Sequence, residues 1–416
     1  MQQRYRAKWI VPIEGLPQEN GVLVVEQGRI ADIRKSHGLW PACDLGDVVI
    51  LPGLVNAHVH LDLPGSLLAS ARAGGFVSWL RAVIAYRRAS SQQQTESVIR
   101  QGIAESLRYG VTCLGDISAD GTSARLLAAV GMKSLVFQEV LGLTRERTRE
   151  TARAARWRLQ NCTWNDALRG ALGPHAPYST ARVLYRWAGA FAARHAIPLA
   201  THVAETLEEL QLLRSRTGPL RELLEELGIW RPQALCRTIP EVLQCMSTAP
   251  RVIAVHANYC DEKTLAAAVQ LFAHRPGGIV FCPRTHAAFG HEPYPVGLYR
   301  SAGIRLALGT DSRASSPDLD LLGEVRFLYK TCPTLDPREL LKMATLAGAQ
   351  ILGMERRAGS LRVGKDADFI AVPLQNEAAG EDPCRHVLTS CAAPRWVFLA
   401  GRAAVVEDRL ASWITL

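Results

Sequence analysis

Five histidines and one aspartate stand at the ends of apolar runs in this 416-residue chain. His58 and His60 close LVNAHVH, His175 closes LRGALGPHAP, His202 closes PLATHV, His256 closes RVIAVH, and Asp311 closes RLALGTD. In an extended strand His58 and His60 face the same way, because side chains alternate with a period of two. Any one of these residues alone would be an ordinary core or surface group. A strand end gains no packing from an imidazole, so the recurrence points to a shared polar site. Neutral imidazole and carboxylate suit one divalent ion, zinc or iron. With one position open, such an ion lowers the pKa of bound water towards ~7, making hydroxide available at neutral pH. Glu205, in THVAE, follows His202 by three residues. If the chain turns into helix there, Glu205 lies near the ion without ligating it and can move protons. The competing explanation is an acid favoured at a helix N-terminus by the macrodipole. Other catalytic patterns are absent: no HExxH, no H-x-E followed by P-C-x-x-C, and no GxSxG.

The elements that must carry these residues are legible in the order of the runs. Residues 1 to about 50 read as short strands, with a hairpin around Glu26-Gln27-Gly28. From there to about residue 350, β-like runs such as GVTCLGDIS, RVIAVHANY and GGIVFCPRT alternate with amphipathic helical segments such as TESVIRQGIAESLRYG. That alternation implies βα units and a parallel sheet. After residue 358 short strands return, in GSLRVGKDADFIAVP and RWVFLAGRAAVVED. The expected fold is therefore α/β, with residues 53–357 in the α/β middle. Residues 1–52 and 358–416 would pair into one small β domain. In a β/α barrel, polar residues at the C-terminal strand ends line the catalytic face.

Composition narrows the class. Hydrophobic residues at 48% and charged residues at 21% are ordinary for a soluble globular protein. The formal charge is +9. The arginines are dispersed through helix-like segments such as RAVIAYRRAS and LRSRTGPLRE, which reads as solvated surface and predicts no nucleic-acid partner. No run approaches the ~18 apolar residues of a membrane span. MQQRYRAKWIVPIEG lacks the apolar core of a secretory signal. Ten scattered cysteines without a CxxC pair read as free thiols, and the expected location is the cytoplasm. Symmetric homo-oligomers are common among enzymes of this size, so a homodimer is compatible with the sequence.

Taken in order, PGLVNAHVHLDL, GPHAPYS, THVAE, VHANY, CPRTHAAFG, LGTDSRASSPDLDLLGE and GSLRVGKDADFIAV resemble the amidohydrolase superfamily over essentially the whole chain. The resemblance implies a distorted (β/α)8 TIM-like barrel beside a small β-sandwich built from both chain ends. It implies a single divalent ion, zinc ahead of iron, ligated by His58, His60, His202 and Asp311. It makes His256 a non-ligand that orients the attacking water. Glu205 becomes the proton donor to ring nitrogen and leaving amine, and Asp311 the base. Two-metal members carry a bridging lysine at the end of the fourth strand. Taking KSLVFQEVLG as that strand, its lysine (Lys133) stands at the wrong end, while Gln138 and Glu139 occupy the later positions. Glu139 then becomes a substrate or outer contact, or simply a buried acid, and Asp62 an outer partner of the ligands.

HxxE together with His256 resembles the branch that deaminates aminated heterocycles. GPHAPYS, CPRTHAAFGH and SSPDLDLLGE look most like the aminodeoxyfutalosine deaminases of an alternative menaquinone route and the adenosyl-thioether deaminases. In that frame the partner is a small aminated heterocycle. His175 would touch its sugar or ring edge, Trp79 would line the pocket apolarly, and Arg284 and His286 would shape its far side. Hydrolytic dechlorination, or opening of a cyclic amide or urea, would use the same activated water. Glu205 favours an amine, since chloride leaves without a proton. A barrel serving only as a scaffold would not be expected to keep every metal and acid position filled.

Overall fold

The computed structural model describes residues 2–35, 42–374 and 382–416, without the side chains at 71 and 72. Eight parallel strands form the barrel: β1 (Leu54–Val59), β2 (Val111–Ser118), β3 (Lys133–Val140), β4 (Leu168–Pro174), β5 (Leu199–Val203), β6 (Val252–His256), β7 (Gly277–Phe281) and β8 (Leu306–Leu308). They pair in chain order, and the circuit nearly closes. Val59 and Asp311 form a parallel bridge, and the His60 amide donates to the Asp311 carbonyl at 2.7 Å. Every residue of β1, β2, β3, β5, β6 and β7 is buried, so these strands read as near-continuous apolar runs rather than alternating ones. Small and branched side chains, including Ala57, Leu135, Ala171, Ile253 and Val280, fill the barrel interior.

Four helices bear on the site: α1 (Leu68–Ala89), α2 (Arg145–Asn161), α3 (Leu207–Ser215) and α4 (Pro219–Glu226). The first is broken at Gly75, whose φ of 68° and ψ of −176° lie outside helical space. Glycine takes that conformation without the Cβ penalty any other residue would meet.

The two chain ends form one nine-stranded mixed sheet. Its seam is the antiparallel pairing of Val48–Pro52 with Phe369–Pro373. The hairpin expected around Glu26-Gln27-Gly28 joins strands Gln18–Glu26 and Arg29–Lys35. Gln27 and Gly28 both have positive φ, as a two-residue hairpin turn requires. The run DVVILPGLVNAH divides at Gly53, between the end sheet and the barrel. A Cβ at Gly53 would overlap the Thr112 side chain, so only glycine allows this close approach.

Two sequence expectations change here. KSLVFQEV is the third barrel strand, not the fourth; the fourth is Leu168–Pro174, which carries no lysine at its end. Lys133 instead lies at the opposite end of the barrel from the histidines, buried between Asp366 at 2.9 Å and Asp368 at 2.6 Å. That cluster ties the barrel to the end sheet. The second change concerns RAVIAYRRAS, which is not uniformly a solvated face, because Arg87 turns inward. All ten cysteines are unpaired. Among the described residues, no helix is long and apolar enough to cross a membrane.

Candidate active site

The strand ends converge. His58 Nε2 lies 3.3 Å from His202 Nε2, His202 Nε2 lies 3.2 Å from His60 Nε2, and Asp311 Oδ1 lies 3.4 Å from His58 Nε2 and 3.8 Å from His60 Nε2. Tetrahedral ligands at about 2.0–2.2 Å from a zinc-like ion sit about 3.3–3.6 Å apart, so the four donors fit one such ion. His58, His202 and His256 also have ring nitrogens within 4.8 Å of one another. The His202 Nδ1 is 2.7 Å from the His175 carbonyl oxygen. A carbonyl only accepts, so Nδ1 carries the proton and leaves Nε2 as the free lone pair.

Electrostatics agree with ligands rather than cations. Burial, then the neighbouring imidazoles, push His60 and His202 well below the ordinary histidine range. His256 is lowered in the same way by burial, and burial takes His175 down to about 3. Burial pushes Asp311 up, but a hydrogen bond from His58 and the surrounding imidazoles outweigh it and hold the carboxylate ionised. Glu205 goes the other way. Burial, with Asp311 and Glu209 nearby, raises it well above the usual carboxylate range and so favours its protonated form. The pair has the split affinities expected of a proton donor beside an ionised partner.

The backbone at these strand ends is strained. Ala204, His256, Ala257 and Asp311 have φ of 47°, 67°, 50° and 58°, a left-handed region costing non-glycine residues on the order of 1 kcal/mol each. Named contacts hold it. The buried Glu209 carboxylate accepts from the Ala204 amide at 2.8 Å and the Glu205 amide at 3.4 Å. Tyr294 Oη donates to the His256 carbonyl at 3.0 Å. Glu205 precedes Thr206, the N-cap of α3, so it sits in the loop before the helix rather than in its first turn. Its Oε1 lies 3.4 Å from His256 Nε2. On the other side, Ser315 Oγ donates to Asp311 Oδ2 at 2.7 Å and leaves Oδ1 facing the His58 ring nitrogen. Glu209 and Ser315 carried no sequence signal, because only their tertiary partners give them a role.

A cavity of about 520 Å³ opens from this cluster. His60, His175, His202, Glu205, His256 and Asp311 line its inner end, and Trp79 its side. The Trp79 indole donates to the Ala314 carbonyl at 2.9 Å while its ring packs with Phe76 and Phe289. His175 Nδ1 pairs with Ser179 Oγ at 2.6 Å, with Nε2 4.0 Å from Glu139. Arg87, from α1, lines the cavity and bridges Glu139 at 3.0 Å and Asp62 at 3.0 Å. Glu139 and Asp62 are therefore its anchors, and Arg87 is a cavity cation that the sequence placed on the surface.

Arg284 and His286 are not among the residues lining the cavity. Arg284 is locked to Glu324 and Asp318, both at 2.7 Å, and His286 Nε2 donates to the Glu292 carbonyl at 2.8 Å. Both brace the loop after β7 rather than lining the cavity, where the sequence expected them.

Comparison with known proteins agrees with this geometry. The family model for the amidohydrolase family matches residues 49–406. A 5-methylthioadenosine/S-adenosylhomocysteine deaminase from Moorella thermoacetica is 29% identical, over 88% of this chain and 84% of that one. An aminodeoxyfutalosine deaminase from Deinococcus radiodurans is also 29% identical, covering 82% of each. Among solved structures, a zinc-bound adenosine deaminase from Xanthomonas campestris superposes with a TM-score of 0.80 at 24% identity, over 99% of this chain and 94% of that one. The chain belongs to the amidohydrolase family.

Proposed function

We propose that the protein is a metal-dependent hydrolytic deaminase of adenine nucleosides carrying a 5′ substituent, with aminodeoxyfutalosine as the first candidate substrate. The observation that carries this is Glu205: a buried carboxyl 3.4 Å from His256, shifted towards its protonated form beside an ionised Asp311, lining a cavity large enough for a nucleoside. The relatives named for such deaminations support it. A divalent ion held by His58, His60, His202 and Asp311 would supply an acidified water at the inner end.

The chain's own groups do the rest. Asp311, ionised and held by Ser315, takes a proton from the attacking water. Glu205 delivers its proton to ring N1, which makes C6 electrophilic. His256, neutral and 3.4 Å from Glu205, donates a hydrogen bond to the incoming oxygen. The C6–O bond forms, Asp311 passes the proton taken from water to the amine, and the C6–N bond breaks to release ammonia. The C6 hydroxyl proton returns to Glu205 as the carbonyl forms, and N1 keeps the proton that Glu205 gave it. General acid–base transfer of this kind contributes typically 10²–10⁴-fold. His175 and Trp79 would bound the sugar and its substituent.

The test is an ultraviolet screen of adenosine, methylthioadenosine, S-adenosylhomocysteine and aminodeoxyfutalosine. Conversion of the adenine to the hypoxanthine spectrum, with stoichiometric ammonia, is expected for at least one. Silence on all four refutes the proposal.

A further inference from the structure

Beyond its inner end, the cavity has a wall that no catalytic role explains. Leu80, Val83 and Ile84 from α1 and Leu220, Leu223 and Leu224 from α4 line it together. These leucines belong to one apolar cluster with Trp79, Leu143 and Tyr178. The only acids among the lining residues are Glu205 and Asp311, both at the metal end. The other charged lining groups are cations: Arg87, already balanced by Asp62 and Glu139, and Arg88 and Arg147. Once an aminated ring sets N1 against Glu205, its substituent runs along the leucine wall. Apolar atoms gain there, whereas an aminoacyl tail would bring an ammonium that finds no carboxylate among the lining residues and a carboxylate met only by the exposed Arg88 and by Arg147, which Glu150 already pairs at 3.0 Å.

We infer that the outer chamber selects substrates whose 5′ substituent is bulky, apolar and free of positive charge, and that it discriminates against an aminoacyl tail. This deepens the deaminase assignment and rests on it. Burial of each added methylene is worth about fourfold in binding, until the chamber is full. An aromatic tail reaches the same wall with less rotational freedom to lose.

The experiment measures kcat/KM for 5′-methylthio-, 5′-butylthio- and 5′-phenylthio-5′-deoxyadenosine and for S-adenosylhomocysteine. The dissociation constants of inosine and 5′-phenylthio-5′-deoxyinosine are titrated in parallel. The expected order has butylthio and phenylthio at least tenfold above methylthio, and S-adenosylhomocysteine at least tenfold below it. Leu223→Ala should shrink the butylthio-to-methylthio ratio several-fold, with a wild-type circular dichroism spectrum reporting an intact fold. Equal kcat/KM across the tails, or preference for S-adenosylhomocysteine, overturns the inference and leaves deamination standing. If no adenine nucleoside turns over, the functional assignment fails. The inosine titration still decides the wall: tighter phenylthio binding supports it, and equal binding overturns it.

Discussion

Arg87→Met gives the sharpest energetic prediction. The Arg87 guanidinium, one quarter exposed, binds Asp62 and Glu139, whose side chains are 9% and 4% exposed. Methionine keeps the aliphatic stem but strands two carboxylates in a water-poor site. Removing one partner of a buried ion pair costs about 3–5 kcal/mol, and the partial exposure of Arg87 argues for the lower end, about 3 kcal/mol. Unfolding entropy near 2.1 cal/mol/K per residue, over 416 residues, is about 0.9 kcal/mol/K, so the midpoint should fall by about 3–4 °C. Scanning calorimetry of the metal-loaded protein reads this directly. The combination Arg87→Met with Asp62→Asn and Glu139→Gln replaces the stranded charges by neutral isosteres and should regain most of the loss. Because α1 carries Leu80, Val83 and Ile84, the single variant should also raise KM more than it lowers kcat. A wild-type midpoint for Arg87→Met, or no recovery in the triple variant, refutes the account of Arg87 as the anchor of α1.

Other variants separate the site from its supports. Ser315→Ala removes the donor to Asp311 Oδ2, and metal affinity in a competitive chelator titration should fall about 10–100-fold with the fold unchanged. Lys133→Met strands Asp368 at the far end of the barrel. It should lower the thermal midpoint by several degrees, on the order of 3 kcal/mol, while leaving kcat within twofold. Glu209→Ala frees the Ala204 and Glu205 amides, so kcat should drop at least tenfold while metal content stays at wild-type level.

The candidate ligands were legible because a parallel barrel offers its C-terminal strand ends as one surface, and the histidines ended their runs there. The β-rich ends were legible for a similarly local reason, the Gln27-Gly28 turn and short alternating strands. What the sequence hid depends on distance along the chain. Arg87, Asp62 and Glu139 come from three separate elements, and nothing local distinguishes Arg87 from the exposed Arg88 beside it. Arg284 misled for the same reason: a loop arginine near a site has no preferred partner until Asp318 and Glu324 are brought to it. The strand count failed at KSLVFQEV because strand identity in a repeating βα pattern is set by pairing, which a single run does not carry.

The central claim is that Glu205 moves protons beside a metal held by His58, His60, His202 and Asp311. Its most direct measurement is paired: metal content by atomic absorption and ammonia release on the best substrate, for wild type, Glu205→Gln and His202→Ala. The account predicts about one divalent ion in wild type and Glu205→Gln, with ammonia release lost by 10²-fold or more in Glu205→Gln, and neither metal nor activity in His202→Ala. Normal ammonia release by Glu205→Gln, or a stoichiometric tight ion in His202→Ala, would contradict it.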